Sequence, residues 1–503
     1  MSRRNRVNRG LWLAVLLWGT GAFAQGNSVI TGTLTNAANK GPLEDVVVTA
    51  TSPQLQGERT VVSDKSGLYR IPQLPSGTYL LRFEAQGFKT YERGGILLRI
   101  DRTIRLNAEL LPDEGLTETV EVVGAPPSVD VGSSAAGVTV DQDFIRNIAV
   151  IRPGTKGSAS RSFEGLAELA PGAVEDRYGV SISGSSSPES QYVVDGLSVN
   201  DPGVGTLGTP LSVEFVKEVN IITGGYMPEY GRSTGGVLNV VTKSGSNEFH
   251  GSVFANMAPG ALQTAGTVVR REGSVISAQG SAHNLGDFGF DLGGPILKDK
   301  LWFYVGVAPS FNRIQVDRQL SSYELCTEVD PANGCSAVNA RRKDPATGFS
   351  QVNPIAGTQV SRFADERTLQ FLSKLTYNFN QDHSLAVSVF GTPRSSGGVG
   401  KYAFSDDGEP EVCTSLSCTS FVQGAYGAIA TQRENSALDL VAKQTSSFFD
   451  KKLLVDATLG WHHQADSILP SDGSGLGSGE GLSAQSNIAW RRTRNPGPHT
   501  INE

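Results

Sequence analysis

Six histidines and four cysteines are the side chains of this 503-residue chain best suited to hold a metal or act as nucleophiles, and their spacing supports neither use. A catalytic zinc needs ligands such as His and Glu held at short fixed intervals. No histidine here is followed by glutamate three positions on, and H-E-x-x-H does not occur. The cysteines fall as two close pairs, Cys326 with Cys335 and Cys413 with Cys418, and neither pair has the C-x-x-C spacing of a zinc site. One glycine motif, Gly203-Val204-Gly205-Thr206-Leu207-Gly208, has the form G-x-G-x-x-G. A dinucleotide site needs that turn between a strand and a helix whose N-terminus faces pyrophosphate. Here it follows Asn200-Asp201-Pro202 and runs into Pro210, so a flexible loop at the outer tip of its domain is expected. No catalytic constellation, cofactor or metal is expected, and the chain is not read as an enzyme.

The elements that position the remaining polar residues begin with an address. Arg3, Arg4, Arg6 and Arg9 precede the apolar run Leu11 to Trp18 and then Ala22-Phe23-Ala24, the pattern of a secretory signal peptide over residues 1–24 cleaved before Gln25. The apolar run is too short to span a bilayer, and no later segment reaches the ~20 residues a membrane helix needs, so any insertion must use strands. Export places the cysteines in an oxidising compartment, where Cys326–Cys335 and Cys413–Cys418 are expected as local disulfides, with free thiols the alternative. A net charge of -7 with scattered Lys and Arg offers no basic footprint, so nucleic acid is excluded as a partner. Charged residues make up 18% of the chain and glycines number 59, a balance that favours sheet and turns.

Period-two alternation dominates. Over residues 25–112, Tyr79, Leu81, Phe83 and Ala85 face one side, as do Ile104, Leu106, Ala108 and Leu110, with turn residues at Gly41-Pro42, Ser66-Gly67 and Pro75-Ser76-Gly77. A small antiparallel sandwich is expected. Residues 113–127 read as a linker opened by Gly115 and closed by Gly124-Ala125-Pro126-Pro127. Inside it, Glu118-Thr119-Val120-Glu121-Val122-Val123 has strand propensity and no obvious local partner, the plainer alternative being the last strand of the sandwich. Residues 128–248 mix patterns: Phe144, Ile148 and Ile151 share a helical face after Asp141, and Phe163, Leu166 and Leu169 share another after Ser162, ended by Pro171. From 249 to 503 long alternating segments take over, including Phe288-Phe290-Leu292 against Asp287 and Asp291, Leu369 to Phe379 against Gln370, Lys374 and Asn378, and Leu453 to Trp461. Short connections at Gly293 to Lys300 and Asn380 to His383 alternate with long ones at about Ser310 to Glu366 and Thr392 to Asn435, the asymmetry of outer-membrane barrels. All four cysteines fall in the long connections. Trp302, Tyr304, Tyr377 and Trp461 are candidates for an interfacial girdle or for ordinary packing.

Several blocks resemble known families. Asp64 to Tyr69 and Leu74 to Tyr79 resemble the carboxypeptidase regulatory-like domain, a transthyretin-like sandwich. Leu169-Ala170-Pro171-Gly172, Tyr192-Val193-Val194-Asp195-Gly196, Glu218-Val219-Asn220-Ile221 and Glu229 to Lys243 are similar, in order, to the plug motifs of TonB-dependent receptors. Lys243 to Gly251 and Phe288 to Tyr304 resemble the Oar-like subgroup of those receptors, which carries the same sandwich. The segment Glu118 to Val123 resembles the TonB box. The resemblance implies a mainly β protein: a small transthyretin-like β-sandwich, an α+β plug and an incomplete antiparallel outer-membrane β-barrel. It implies a receptor and transporter in the cell outer membrane with its N-terminal domain in the periplasm. The partners are outer-membrane lipid, a TonB-type energy-transducing protein that pairs with residues 118–123, and an extracellular ligand such as a siderophore, glycan, peptide or protein. It also implies that Arg232 docks the plug against barrel-wall carboxylates, the plainer alternative being a solvated turn arginine.

A second reading is a surface binding or adhesion protein whose sandwich takes carbohydrate without transport, favoured if Tyr69, Tyr79 and Tyr91 line an exposed face. A final expectation concerns closure. Barrels of this family are of the ~22-stranded plugged type, whereas residues 249–503 hold about eight or nine segments of membrane-strand length. The breaker-rich stretch Arg494 to Glu503, with Pro496-Gly497-Pro498, cannot supply a wall strand. The chain is therefore expected to leave the barrel open, as a truncated product or with a second chain completing it.

Overall fold

The computed structural model describes residues 28–475 and 481, except 56, 114–119, 124–134, 149–160, 177, 227, 229, 232, 263–272, 274, 406–407, 409, 412–429 and 450–452. The signal segment 1–24, Glu118, Thr119, Arg232, Cys413 and Cys418 lie outside the described residues.

Alternation builds the first body. Its strands are β1 (Ser28–Asn36), β2 (Val47–Thr51), β3 (Arg59–Val62), β4 (Leu68–Leu74), β5 (Gly77–Glu84), β6 (Tyr91–Leu98), β7 (Thr103–Arg105), β8 (Ala108–Leu110) and β9 (Val120–Val123). They form two sheets, β4-β1-β7 with β8 also on β1, and β3-β2-β5-β6-β9. Tyr79, Leu81 and Phe83 of β5 and Ile104, Leu106, Ala108 and Leu110 are buried between them with Ile30, Val48 and Ile96. Burying a large apolar side chain contributes about 1.5–3 kcal/mol. The sandwich is not wholly antiparallel: β7 and β8 run parallel to β1, and β9 runs parallel to β6, Tyr91 opposite Val120 and Gly94 opposite Val123. Alternation reports which face is buried and is silent on strand direction, which is why the sequence pattern missed this.

The second body, the plug, comprises β10 (Ala136–Asp141), α1 (Gln142–Asn147), β11 (Ala173–Glu175), β12 (Val180–Ile182), β13 (Gln191–Val194), β14 (Leu197–Ser198), β15 (Val216–Gly224) and β16 (Val237–Thr242). Its main sheet has the order β10-β15-β16-β13-β14. Asp141 caps α1 by accepting from the Phe144 amide. The helix is shorter than its periodicity suggests: it stops at Asn147 with Ile148 extended, and it buries Ile145 while Phe144 is exposed. The second expected helix is a 3-10 segment, Phe163–Leu169, and Ser162 makes no side-chain cap. Ala170 is already extended, as a residue before proline must be.

The third body is a curved sheet of β17 (His250–Pro259), β18 (Ile276–Leu297), β19 (Leu301–Tyr323), β20 (Val352–Pro354), β21 (Val360–Asn380), β22 (His383–Gly391), β23 (Arg394–Gly397), β24 (Lys401–Tyr402), β25 (Thr431–Phe448) and β26 (Leu453–Pro470). Its long neighbours are all antiparallel, and among the described residues the sheet does not close: β17 and β26 stand at its two edges. β18, β19 and β21 are 22, 23 and 21 residues long, about twice what a tilted membrane strand needs. The long connection expected from Ser310 therefore starts only after Tyr323. Residues 310–323 carry polar side chains on both faces, Asn312, Arg313, Gln315 and Asp317 among them, which reads as loop in sequence, but β18 and β21 pair with most of the segment on its two sides. Trp302 and Tyr304 point inward and are buried, whereas Tyr377 and Trp461 are exposed on the outer face, so only the latter two sit where an interfacial aromatic would.

In the first long connection Cys326 and Cys335 are disulfide-bonded, with Cα atoms 5.5 Å apart. Cross-linking a loop this short contributes about 2–3 kcal/mol. A chain with both replaced by serine is expected to be nicked several-fold faster by protease between residues 324 and 359, with the barrel strands unaffected, as peptide mass mapping would show; equal nicking would deny the cross-link a structural role.

Candidate functional site

The plug lies in the concave face of the barrel sheet, and the candidate site is the seam between them. Part of that seam is apolar: the plug's Phe163, Leu166, Tyr192, Phe215 and Leu238 form one core with Tyr304, Ala308, Leu372, Phe390 and Val441 of the wall. Wall glycines make the approach possible. A Cβ on Gly306 would lie 2.4 Å from the Phe215 ring, and one on Gly460 would lie 2.5 Å from Leu197, so neither position accepts a side chain unless the plug shifts.

The rest of the seam is charged. Asp195 occupies the turn between β13 and β14, where it accepts from the Thr242 amide at 3.0 Å and the Thr242 hydroxyl at 2.5 Å within the plug. Across the seam the same carboxylate takes Lys374 Nζ at 2.9 Å and the Ser388 hydroxyl at 3.3 Å from the wall. Burial opposes ionisation of Asp195, but Lys374 and the Thr242 donors outweigh it and hold the carboxyl below its usual range. Beside it, Lys243 of the plug meets Asp291 of the wall at 2.6 Å, and Asp291 also accepts from the Tyr304 hydroxyl at 2.9 Å. Arg161 bonds Glu214 and lies 3.9 Å from Asp287. On the plug loop 201–210, Thr209 donates to Asp439 at 2.7 Å, Asp201 accepts from Gln464 at 2.7 Å, and the Pro210 carbonyl accepts from Gln370 at 2.8 Å. The G-x-G-x-x-G segment, residues 203–208, is thus the middle of a loop whose flanking residues Asp201, Thr209 and Pro210 contact the wall.

Sequence reasoning had placed plug docking on Arg232, which lies outside the described residues. Of the residues it missed, Lys374, Asp291 and Asp439 carried one usable signal: a charge on the polar face of a long strand whose other face is apolar must look into a lumen; Lys243, just past the end of β16 in the plug, carried none. Tyr69 and Tyr79 of the sandwich are buried, donating to the Leu106 and Pro75 carbonyls at 2.7 and 2.6 Å, and Tyr91 packs against the same core. They form no exposed aromatic platform for a sugar. Among the described residues no group of three or more His, Cys, Asp or Glu is placed to hold a metal ion.

Removing one partner of a buried ion pair costs about 3–5 kcal/mol because the other charge is stranded. Lys374→Met is therefore expected to speed amide exchange over Tyr192–Asp195 and Val240–Thr242 by a hundredfold or more, and Asp195→Asn added to it should recover most of the loss. No acceleration in the single variant would place the docking energy elsewhere. A second prediction concerns Glu164, buried in the plug under the Tyr192 hydroxyl at 2.9 Å. Burial pushes its carboxyl up to about 7, the Tyr192 and Val180 donors only partly offsetting it. A folded-state value raised above the unfolded one means stability present in full below about pH 4.5 and lost as pH rises through about 7. The loss is on the order of 3 kcal/mol. Thermal melts between pH 5 and 8 should show it in the wild type, and the difference from Glu164→Gln should carry the whole of this transition; parallel curves would refute the assignment.

Two family models match the chain: a carboxypeptidase regulatory-like domain over residues 29–111 and an outer membrane beta barrel domain over residues 241–489. The TonB-dependent transporter Oar of Myxococcus xanthus is 54% identical over 495 residues, which is 97% of this chain and 45% of that protein. The chain thus spans a little under half the length of that relative. Among solved structures, the outer membrane transporter YddB of Escherichia coli is 14% identical, aligning over 66% of this chain and 39% of that one with a TM-score of 0.40. The alcaligin outer membrane receptor FauA of Bordetella pertussis is 12% identical over 67% and 49%, with a TM-score of 0.33. With its regulatory-like sandwich, a plug seated by buried ion pairs and a strand-built wall, this outer-membrane chain belongs to the TonB-dependent receptors of the Oar-like kind.

Proposed function

We propose that the chain serves a receptor and transporter that binds an extracellular ligand at its long-loop end and admits it past the plug when an inner-membrane TonB-type protein pulls on residues 118–123. The observation that carries this reading is the nature of the seam. Asp195, Thr242 and Lys243 of the plug are held to the wall by hydrogen bonds and ion pairs, which water can replace as the plug moves, and a cavity of about 690 Å³ lined by charged, polar and apolar side chains runs along the wall beside them. A plug seated only by dry apolar packing would have no such substitute partners.

The described part of this segment takes the alternative that its sequence leaves open, the last strand of the sandwich, and that place still leaves it an edge. Val120–Val123 is the last strand of its sheet, paired on one side with β6 and carrying no other partner among the described residues, so its outer edge suits strand addition by a second protein. The ligand is a siderophore, glycan, peptide or protein chosen by the long connections. The open edges at β17 and β26 cannot stay unpaired in lipid, and further strands, from the same polypeptide or a second chain, join them.

Val120→Pro removes a backbone donor from the segment. Capture of the receptor by the periplasmic domain of a TonB-type protein is expected to fall at least tenfold, while amide exchange in the plug stays as in the wild type; undiminished capture would remove residues 118–123 from the mechanism.

A further inference from the structure

The cavity beside Asp195 has three walls. Two are the plug, through Lys217 and Glu218, and the barrel, through Lys374, Thr376, Ser384 and Lys443. The third is the sandwich, through Gln73–Gly77 and Leu98–Ile100. These sandwich residues are fastened down. Lys217 bonds the Ser76 carbonyl, the Ile100 amide donates to Glu218 at 3.1 Å, and Arg99 donates to the Thr139 carbonyl at 2.8 Å. Asp101 accepts from Asn239 at 3.1 Å and Tyr230 at 3.2 Å. Two further contacts reach the barrel itself: Arg59 bonds the Gln381 carbonyl in the short turn between β21 and β22, and Gln73 lies 3.4 Å from Asp456 near the start of β26. Both barrel contacts are at the short-turn end of the strands, the periplasmic end of an outer-membrane barrel.

We propose that the sandwich is a lid that closes the periplasmic mouth of the plug–barrel cavity, a second seal in series with the plug. The lid can leave as a rigid body. Its core and the plug–barrel core share no residue, and every fastening named above is polar, so detachment exchanges protein hydrogen bonds for water without unfolding either body. If residues 118–123 are the energy segment, then β9 lies in the lid's own sheet, and a pull on it loads the lid before the plug; the lid itself does not depend on that reading.

The test uses the full receptor in detergent with no energy protein present, so its outcome is separate from that of the capture experiment. Ser384→Cys places a reporter thiol in the cavity, and its rate of reaction with a maleimide carrying a large polyethylene glycol is measured against the parent chain. In Ser384→Cys alone the reaction should be slow. Adding Arg59→Glu and Arg99→Glu, which break two fastenings, should speed it tenfold or more, with protease digestion showing an intact sandwich, while Arg105→Glu on the exposed side of the sandwich should not change it. Equal rates with and without the two interface substitutions would overturn the lid. In a chain without the reporter, Gln73→Cys with Asp456→Cys should cross-link under mild oxidation, and failure to do so would overturn the docked position on which the lid rests.

Discussion

The Asp195 carboxylate sits where two structures meet, and the position of each depends on it. Asp195 and Gly196 both take positive φ, 48° and 91°, which is the backbone a tight two-residue hairpin turn requires and the reason an Asp-Gly pair suits it. The turn delivers one carboxylate to Thr242 inside the plug and to Lys374 and Ser388 in the wall. A buried charge left unpaired is far more costly than a lost contact, so the plug has one favoured register against the wall, and Lys243–Asp291 falls into line one residue past the end of β16.

Much of this architecture was legible in the residues. Alternation separated Tyr79, Leu81 and Phe83 from their polar neighbours, and it put Asp287, Asp291 and Lys374 on the faces opposite Phe288, Phe290 and Leu375. Outer-membrane strands must be apolar outside and polar inside, so those charges were bound to face the lumen. What they meet there was not legible. Lys374 and Asp195 are 179 residues apart, and no local rule links the β13–β14 turn to the middle of β21; the pairing exists only once barrel curvature and plug fold are both fixed. Local rules failed in a second way at residues 310–323, where Asn312, Arg313, Gln315 and Asp317 look like loop. They are strand because β18 and β21 offer paired backbone on both sides, an interaction that side-chain patterning does not encode. Residues 120–123 show the same limit: their valines announce a strand, and only tertiary structure supplies β6 as its neighbour.

The same constraint explains why the seam mixes two kinds of contact. Phe215 against Gly306 and Leu197 against Gly460 give shape, since a glycine in the wall admits only a plug that brings its own bulk to that point. They would hold the plug equally well in nearby registers, because apolar contact is not directional. The ion pairs and the hydrogen bonds from Thr209, Gln464 and Gln370 remove that freedom. Position is set by the polar groups and exclusion of water by the apolar ones.

That division bears on how such a channel stays shut without being locked. If freeing Asp195 from Lys374 and Asp291 from Lys243 each costs about 3 kcal/mol, the low end for stranding one member of a buried pair, losing both at once by thermal motion has a population near one in 10⁴, a factor of ten for every ~1.4 kcal/mol. The cost falls steeply once water enters, because the attraction between two unit charges at fixed separation drops several-fold as the surroundings pass from protein interior to solvent. A small displacement that wets the seam therefore lowers the resistance to the next one. The seam is stiff against fluctuation and compliant under sustained force, and a domain fastened over its wet side, as the sandwich is through Ser76, Arg99 and Ile100, governs when water first arrives.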